Sequence, residues 1–346
     1  MSRRLLLLVA ALGALLALPA LAGASIVYEA STGAGSNHAM YVSDDDGANA
    51  TKLPVTGQFP VVSPNGAVVA YEKVTNSKTG ATQLHFLTLA TGADLNTGAS
   101  CGGPVWAPNS AIVACTTTQT TGDIKGIGLS TVTTTGTASV IVPSVGFGVT
   151  GYSFSPDSST IVWSQAPFGV YDVSATLRTL PVNGSGAVTK LGKGSQPVWG
   201  PSKIAYIRTT RVVVNGAPMI RSQIWTVNPT VGASSAAALT GYKAKGFVEG
   251  PVPLRWTPDG SKIVGELTGQ DYGQPIYVTA NGKIHQFGPS NSGVYGISAD
   301  GTQALVVGNL LGGGKQPVYA SPLAKMASSL LIKDAWAPSV TANWQP

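Results

Sequence analysis

The sequence predicts an all-β chain in which short strands recur in four-strand antiparallel units, and three observations carry that prediction. First, the 346 residues are 43% hydrophobic but only 10% charged, with 43 Gly and 23 Pro. Against a usual charged share of about 25%, the chain is poor in the Lys and Glu that build surface helices and rich in turn formers. It is too apolar for disorder, and longer than one compact core allows unless the architecture is repetitive. Second, one short phrase returns seven times along the chain. Third, each end of the chain carries part of a unit whose missing strand lies at the other end.

Taken in chain order, Arg3 and Arg4 precede an apolar run from Leu5 to Leu18, then Pro19 and the small-residue patterns Ala20-Leu21-Ala22 and Ala22-Gly23-Ala24. This order is that of a secretory signal, 1–24, expected to be cleaved after Ala22 or Ala24. Retention as an N-terminal anchor is the alternative, because about 18 apolar residues can just span a bilayer. The remainder, 25–346, is expected to form one domain without a transmembrane span. Losing Arg3 and Arg4 from 21 basic and 15 acidic residues leaves a net charge of +4.

The repeated phrase begins as Phe59 to Gly66 before Val68-Val69-Ala70-Tyr71, and as Pro104 to Ser110 before Ile112-Val113-Ala114-Cys115. It returns as Phe154 to Ser158, Val198 to Ser202, Trp256 to Gly260, Ile297 to Gly301 and Trp336 to Ser339. Each copy reads as strand, tight turn, apolar strand. Proline presets φ at the first central turn position, Asp or Asn bonds local backbone at the next, and Gly accepts positive φ where pairing resumes. The bulky residue two before the proline is expected to fill the space between neighbouring sheets. Further strands follow most copies, such as Leu84 to Leu89, Ala175 to Leu180, Ile224 to Val227, Ile276 to Val278 and Val318 to Ala320.

The turn positions Pro64, Pro108, Pro156, Pro201, Pro258, Ala299 and Pro338 are 44, 48, 45, 57, 41 and 39 residues apart. Four antiparallel strands at this spacing describe a β-propeller blade. At the N-terminus Ile26 to Glu29, Met40 to Val42 and Thr51 to Leu53 read as second, third and fourth strands, and the first strand they lack lies near Ala335 to Pro338. The expected fold is therefore a seven-bladed β-propeller closed by pairing of the terminal strands, which removes exposed sheet edges. A six-bladed ring with a tail is the alternative if the Ala299 copy, which lacks proline, is degenerate.

Phe154 to Asp157 and Trp256 to Gly260 are the fullest copies. They resemble the exported TolB-like propeller repeat, a relative of the WD-repeat, whose core reads aromatic-Ser-Pro-Asp-Gly before an apolar strand. The resemblance covers the chain from Ser25 onward and implies a propeller in an extracytoplasmic setting. Asn65 and Asn109 stand where that repeat has Asp, Gly200 where it has Ser, and Ala299 where it has Pro.

Cys101 and Cys115 are equidistant from Pro108, so an ideal hairpin puts them directly opposite, close enough to bridge. Export permits the disulfide. The three histidines His38, His85 and His285 fall at unrelated positions, and no zinc helix, Cys-x-x-Cys pair or nucleophile elbow occurs. Neither metal nor cofactor is expected. Asp44-Asp45-Asp46-Gly47 lacks the alternating ligands of a calcium loop and reads as a turn. Glu29, Glu72 and Glu266 end second strands at equivalent positions, where exposure is expected.

Between Val173 and Val248 there are nine basic residues and no Asp or Glu. This separation of charge favours an anionic partner, with an unselected charge bias as the alternative. The longest spacing falls in the same sector and holds an extra hairpin, Val212 to Ile220, turning at Asn215-Gly216 and flanked by Arg208, Arg211 and Arg221. It is the candidate recognition arm. Gln58, Tyr152, Gln196, Tyr295 and Asp334, near the starts of first strands, are the candidate binding residues around a central opening.

These features predict an exported, non-catalytic, monomeric module binding a protein or an anionic envelope polysaccharide or other polymer, and not nucleic acid, whose recognition needs basic residues interleaved with aromatics. The alternative is a polysaccharide lyase or hydrolase with its site in the central opening. Some propellers with related repeats are lyases, and convergence of Tyr152 or a His with an Arg and a carboxylate would favour that reading.

Overall fold

The computed structural model describes residues 25–30, 37–121, 124–143, 146–167, 175–214, 216–241, 248–269, 272–308, 316–339 and 344–345. The expected signal, 1–24, lies outside them. Among the described residues there is no α-helix, and no helix long and apolar enough to cross a membrane.

The strands fall into the four-strand antiparallel units that the repeat requires, named here by their turn residue. Thr51–Val62 is shared between two units. Its first part pairs with His38–Asp44, and its last part pairs with Val68–Asn76, which opens the Pro64 unit continued by Ala81–Thr88 and Ala93–Asn96. The Pro108 unit is Gly102–Trp106, Ile112–Thr121, Ile124–Thr133 and Ala138–Val142. Phe147–Phe154, Thr160–Pro167, Thr176–Pro181 and Thr189–Lys193 make the Pro156 unit. Ser195–Trp199, Ile204–Val214, Ala217–Val227 and Ala237–Ala238 make the Pro201 unit. Val248–Trp256, Lys262–Gly269, Tyr272–Thr279 and Ile284–Gln286 make the Pro258 unit.

The Ala299 unit is Ser292–Ser298, Gln303–Gly308, Gln316–Pro322 and the first half of Ser329–Ser339. The second half of that last strand pairs with Ser25–Ala30, matching Val27 with Ser339 and Glu29 with Trp336. Trp344–Gln345 adds a short strand against Ile297 and Ser298.

The turns form by the chemistry their sequence predicts. Gly66 N–H donates to Ser63 O at 2.8 Å, and Asn65 Oδ1 accepts from Ser63 Oγ and Ala67 N–H. The same pattern recurs at Ser155/Asp157, Thr257/Asp259 and Ser298/Asp300. Ala299 therefore replaces proline without loss of the turn, because its Asp and Gly neighbours carry the bonds. Ser110 and Ser158 occupy the Gly position at φ 60° and 62°. Left-handed backbone costs a non-glycine residue about 1–2 kcal/mol. Each Ser offsets part of that through its Oγ, which accepts the N–H of Asn65 or Asn109 in the preceding turn at 3.0 Å.

Neighbouring units pack face to face. Val27, Met40, Val62, Val69 and Leu87 form one buried layer, and Ala70, Phe86, Trp106 and Val113 the next. Val264, Ile297 and Val306 join the Pro258 and Ala299 units, while Ile26 and Tyr28 pack on Leu305, Val318 and Ile332. The bulky residue two before the turn proline does lie between sheets. Trp106 Nε1 donates to Val61 O (2.9 Å) and Trp256 Nε1 to Val198 O (3.1 Å). Gly200 departs from the repeat because a Cβ there would fall 2.5 Å from the Trp256 ring.

Cys101 and Cys115 are disulfide-bonded, with Cα atoms 5.5 Å apart. They are not directly opposite as the midpoint argument predicts. The ladder runs Trp106 to Val113 and Val105 to Ala114, then shifts register and matches Gly102 with Thr116, so the bridge runs obliquely.

Candidate functional site

The first strand of the units shares one irregularity. Register shifts fall between Gln58 and Val61, Gly102 and Val105, Val149 and Gly151, Ser195 and Val198, and Val294 and Gly296. Phe59, Gly103 and Gln196, each five residues before its turn proline, have φ of 49°, 63° and 49°. Bulges of this kind kink a strand and leave a backbone group unpaired by the ladder.

Three glutamates take up those groups. Glu72 Oε1 accepts Gly103 N–H at 2.8 Å, Glu266 Oε1 accepts Val294 N–H at 2.7 Å, and Glu29 accepts Phe59 N–H. Each carboxylate thus reaches from the end of a second strand to the bulge of the next unit. They are not exposed as expected: Glu29 and Glu72 are 3% and 7% accessible, and Glu266 is partly buried. Burial raises all three carboxyls. Glu29 is pushed up to about 7, against the bond from Phe59 and with help from the Glu72 charge. Tyr152 extends the network, its hydroxyl donating to Gly103 O. Burial, and then Glu72, raise that hydroxyl above its ordinary range, opposite to what a catalytic base needs.

Tyr152 also lines a cavity of about 510 Å³. Thr150, Tyr152, Gln196, Thr209, Ser222 and Thr268 give it polar walls, and Pro197, Ile207, Ile220, Val252 and Pro253 apolar ones. Among the described residues, Tyr152 is the one ionisable side chain of its lining. The lining suits hydrogen bonding and apolar contact.

The hairpin forms at the predicted position. Ile204–Val214 and Ala217–Val227 pair along their whole length, from Ile204↔Val227 to Val214↔Ala217. Val213 is 74% exposed, and Ile220 reaches the cavity wall. Its arginines are less available than their spacing implies. Arg208 stacks on Trp225, 3.8 Å from the ring centroid, and donates from Nε to Lys193 O. Arg221 is buried, and Arg211 is exposed.

Of the five residues expected around an opening, the structure brings Tyr152 and Gln196 together. Gln58 pairs with Glu72 in the ladder. Tyr295 packs beside Ile26, Leu305 and Val318, and its carbonyl accepts Arg255 Nη2 at 3.0 Å. The side chain of Asp334 lies outside the described residues. Asp44 to Gly47 is the predicted turn, closed by Gly47 N–H to Asp44 O.

Sequence reasoning missed Arg255, which lines a second cavity of about 550 Å³ with Tyr152, Trp199 and Trp256. Its place just before Trp256 in a full copy of the phrase was the available signal. Four side chains, Tyr152, Pro197, Val198 and Leu254, line both cavities.

No family model matches this sequence, and no curated protein matches it. Solved structures do. A prolyl endopeptidase is 14% identical with a TM-score of 0.64 over 90% of this chain, which spans about half of that protein's length. The β-propeller domain of the Trilobed protease from Pyrococcus furiosus gives 9% identity and a TM-score of 0.62, covering 86% of this chain and 88% of that one. TolB from Acinetobacter baumannii gives 14% identity and a TM-score of 0.53, covering 93% and 83%. The fold is a β-propeller, similar to those of these proteins.

Proposed function

We propose that the chain is an exported, non-catalytic seven-bladed propeller that binds a protein partner at the cavity beside the projecting hairpin. Closure of the ring by the terminal strands is part of this reading. It is supported by the Val27–Ser339 pairing and by the packing of Ile26 and Tyr28 on the Ala299 unit. Cleavage of 1–24 and export belong to it as well, supported by the signal pattern and by the disulfide.

The observation that carries the binding reading is the wall of the 510 Å³ cavity, where hydroxyl, amide and proline groups meet Ile220 of the arm. Such a lining, beside the exposed Val213, matches a protein surface better than an anionic polymer. A polymer would need several free cations, and of the three arginines around the arm one is stacked and another buried.

Replacing 212–220 by a two-residue turn tests this. The shortened protein keeps its thermal unfolding and loses capture of a protein partner from an envelope extract. Unchanged capture, or capture abolished by polysaccharide digestion instead of protease, would overturn it.

A further inference from the structure

We infer that the second cavity binds a small organic carboxylate with a flat apolar body, paired with Arg255. This site goes beyond the protein-binding reading and does not rest on it. The cavity, about 550 Å³, is walled by Trp106, Phe154, Trp199, Trp256 and turn prolines, and among the described residues Arg255 is its one cation. That volume lies in the range of small-molecule sites, about 300–1,000 Å³.

The guanidinium is incompletely satisfied. Nη2 donates to Tyr295 O, Nε is buried without a partner, and among the described residues no carboxylate lies within ion-pair distance of it. Burial lowers the group to about 10, so it keeps its proton at neutral pH. Arg255 is half-buried and carries its charge without a counter-ion among the described residues, and a carboxylate supplies the opposite charge and hydrogen-bond acceptors.

The other polar side chains explain why the body is apolar. Tyr152 donates to Gly103 O, Ser153 Oγ accepts Trp199 N–H, and Thr257 Oγ1 donates to Asp259. A sugar acid would bury hydroxyls that find few free partners and so remain unsatisfied. A flat hydrocarbon against indole and pyrrolidine rings loses nothing comparable.

The test titrates the full mature chain with 4-phenylbutyrate and with its uncharged amide, followed by calorimetry and tryptophan fluorescence. The acid binds at least about 10-fold tighter than the amide, and Arg255→Gln brings the acid down to the level of the amide. Arg255→Lys, which keeps the charge, retains part of the preference and controls for a fold that fails in the glutamine variant. N-acetyl-Gly-Gly-Phe, as free acid and as amide, distinguishes a chain terminus from a free acid as the source of the carboxylate. Tighter binding of the peptide acid assigns a terminus, and the reverse a free acid. Equal binding of acid and amide by the unaltered protein, absence of binding by both acids up to about 10 mM, or an acid preference that survives in a folded Arg255→Gln protein would each overturn the inference.

Discussion

Two sectors of the molecule solve the same backbone problem differently. Where second strands end in Glu29, Glu72 or Glu266, a carboxylate reaches the bulged first strand of the next unit. In the Pro201 unit the equivalent residue is Ile207, and the facing bulge position is Pro253, which has no N–H to satisfy. No acceptor is needed there, and both residues line the 510 Å³ cavity. The cavity thus lies where the carboxylate bond is absent. The same repeat position carries a carboxylate bond between units in one sector and lines the cavity in the other.

Swapping the two solutions breaks this comparison most severely. Ile207→Glu puts a carboxylate at a buried site where Pro253 offers no N–H to accept. The expected loss is about 4 kcal/mol, read by urea denaturation at pH 8. A loss below about 1 kcal/mol would mean that the position is not closed to charge in this sector.

Glu29 gives the next effect, through pH. Its carboxyl moves from 4.5 to about 7 on folding, so the folded chain favours the protonated form. That contribution is full below pH 4.5 and is lost as pH rises through 7, about 3 kcal/mol in all. Glu72 and Glu266 shift the same way, so the readout is the difference between the parent and Glu29→Gln. The variant gains stability relative to the parent between pH 5 and pH 8, and a constant difference would contradict the assignment.

Glu72→Ala, which strands the Gly103 N–H and removes the charge beside Tyr152, is expected to cost about 2 kcal/mol. Glu72→Gln, which keeps an acceptor, costs less than half as much. Thermal melts of the pair test whether the bond or the charge is what counts. The smallest effect is at Ser158. Changing it to Gly relieves φ 62° but removes the acceptor of Asn109 N–H, for a net change within about 1 kcal/mol. Ser158→Ala, which keeps the strain and loses the bond, is the more destabilised of the two.

The strands and turns were legible because their signals are local. Pro156-Asp157 and Pro258-Asp259-Gly260 announce a turn through the dihedral preferences of those residues, and alternating apolar residues mark the flanking strands. The hairpin at Asn215-Gly216 was legible for the same reason. Of the candidate site, Tyr152 and Gln196 could be found from their place just before the turn prolines of first strands, although Tyr152 lies near the end of Phe147–Phe154 and not at its start. Arg255 had only its place just before Trp256 as a signal, and that does not distinguish a cation lining a cavity from one in solvent. The glutamates were read as exposed because their acceptor role depends on a bulge about 30 residues away. The oblique disulfide was misjudged for a related cause: the register shift between Gly102 and Val105 moves Cys101 out of opposition to Cys115.

By itself, the sequence determined the all-β class, the four-strand period and the turn chemistry, because each depends on torsional and hydrogen-bonding preferences within about ten residues. Only the tertiary structure decided which polar groups are buried and what they face. Desolvation, pKa and cavity shape arise where distant strands converge, and no stretch of chain carries that convergence alone.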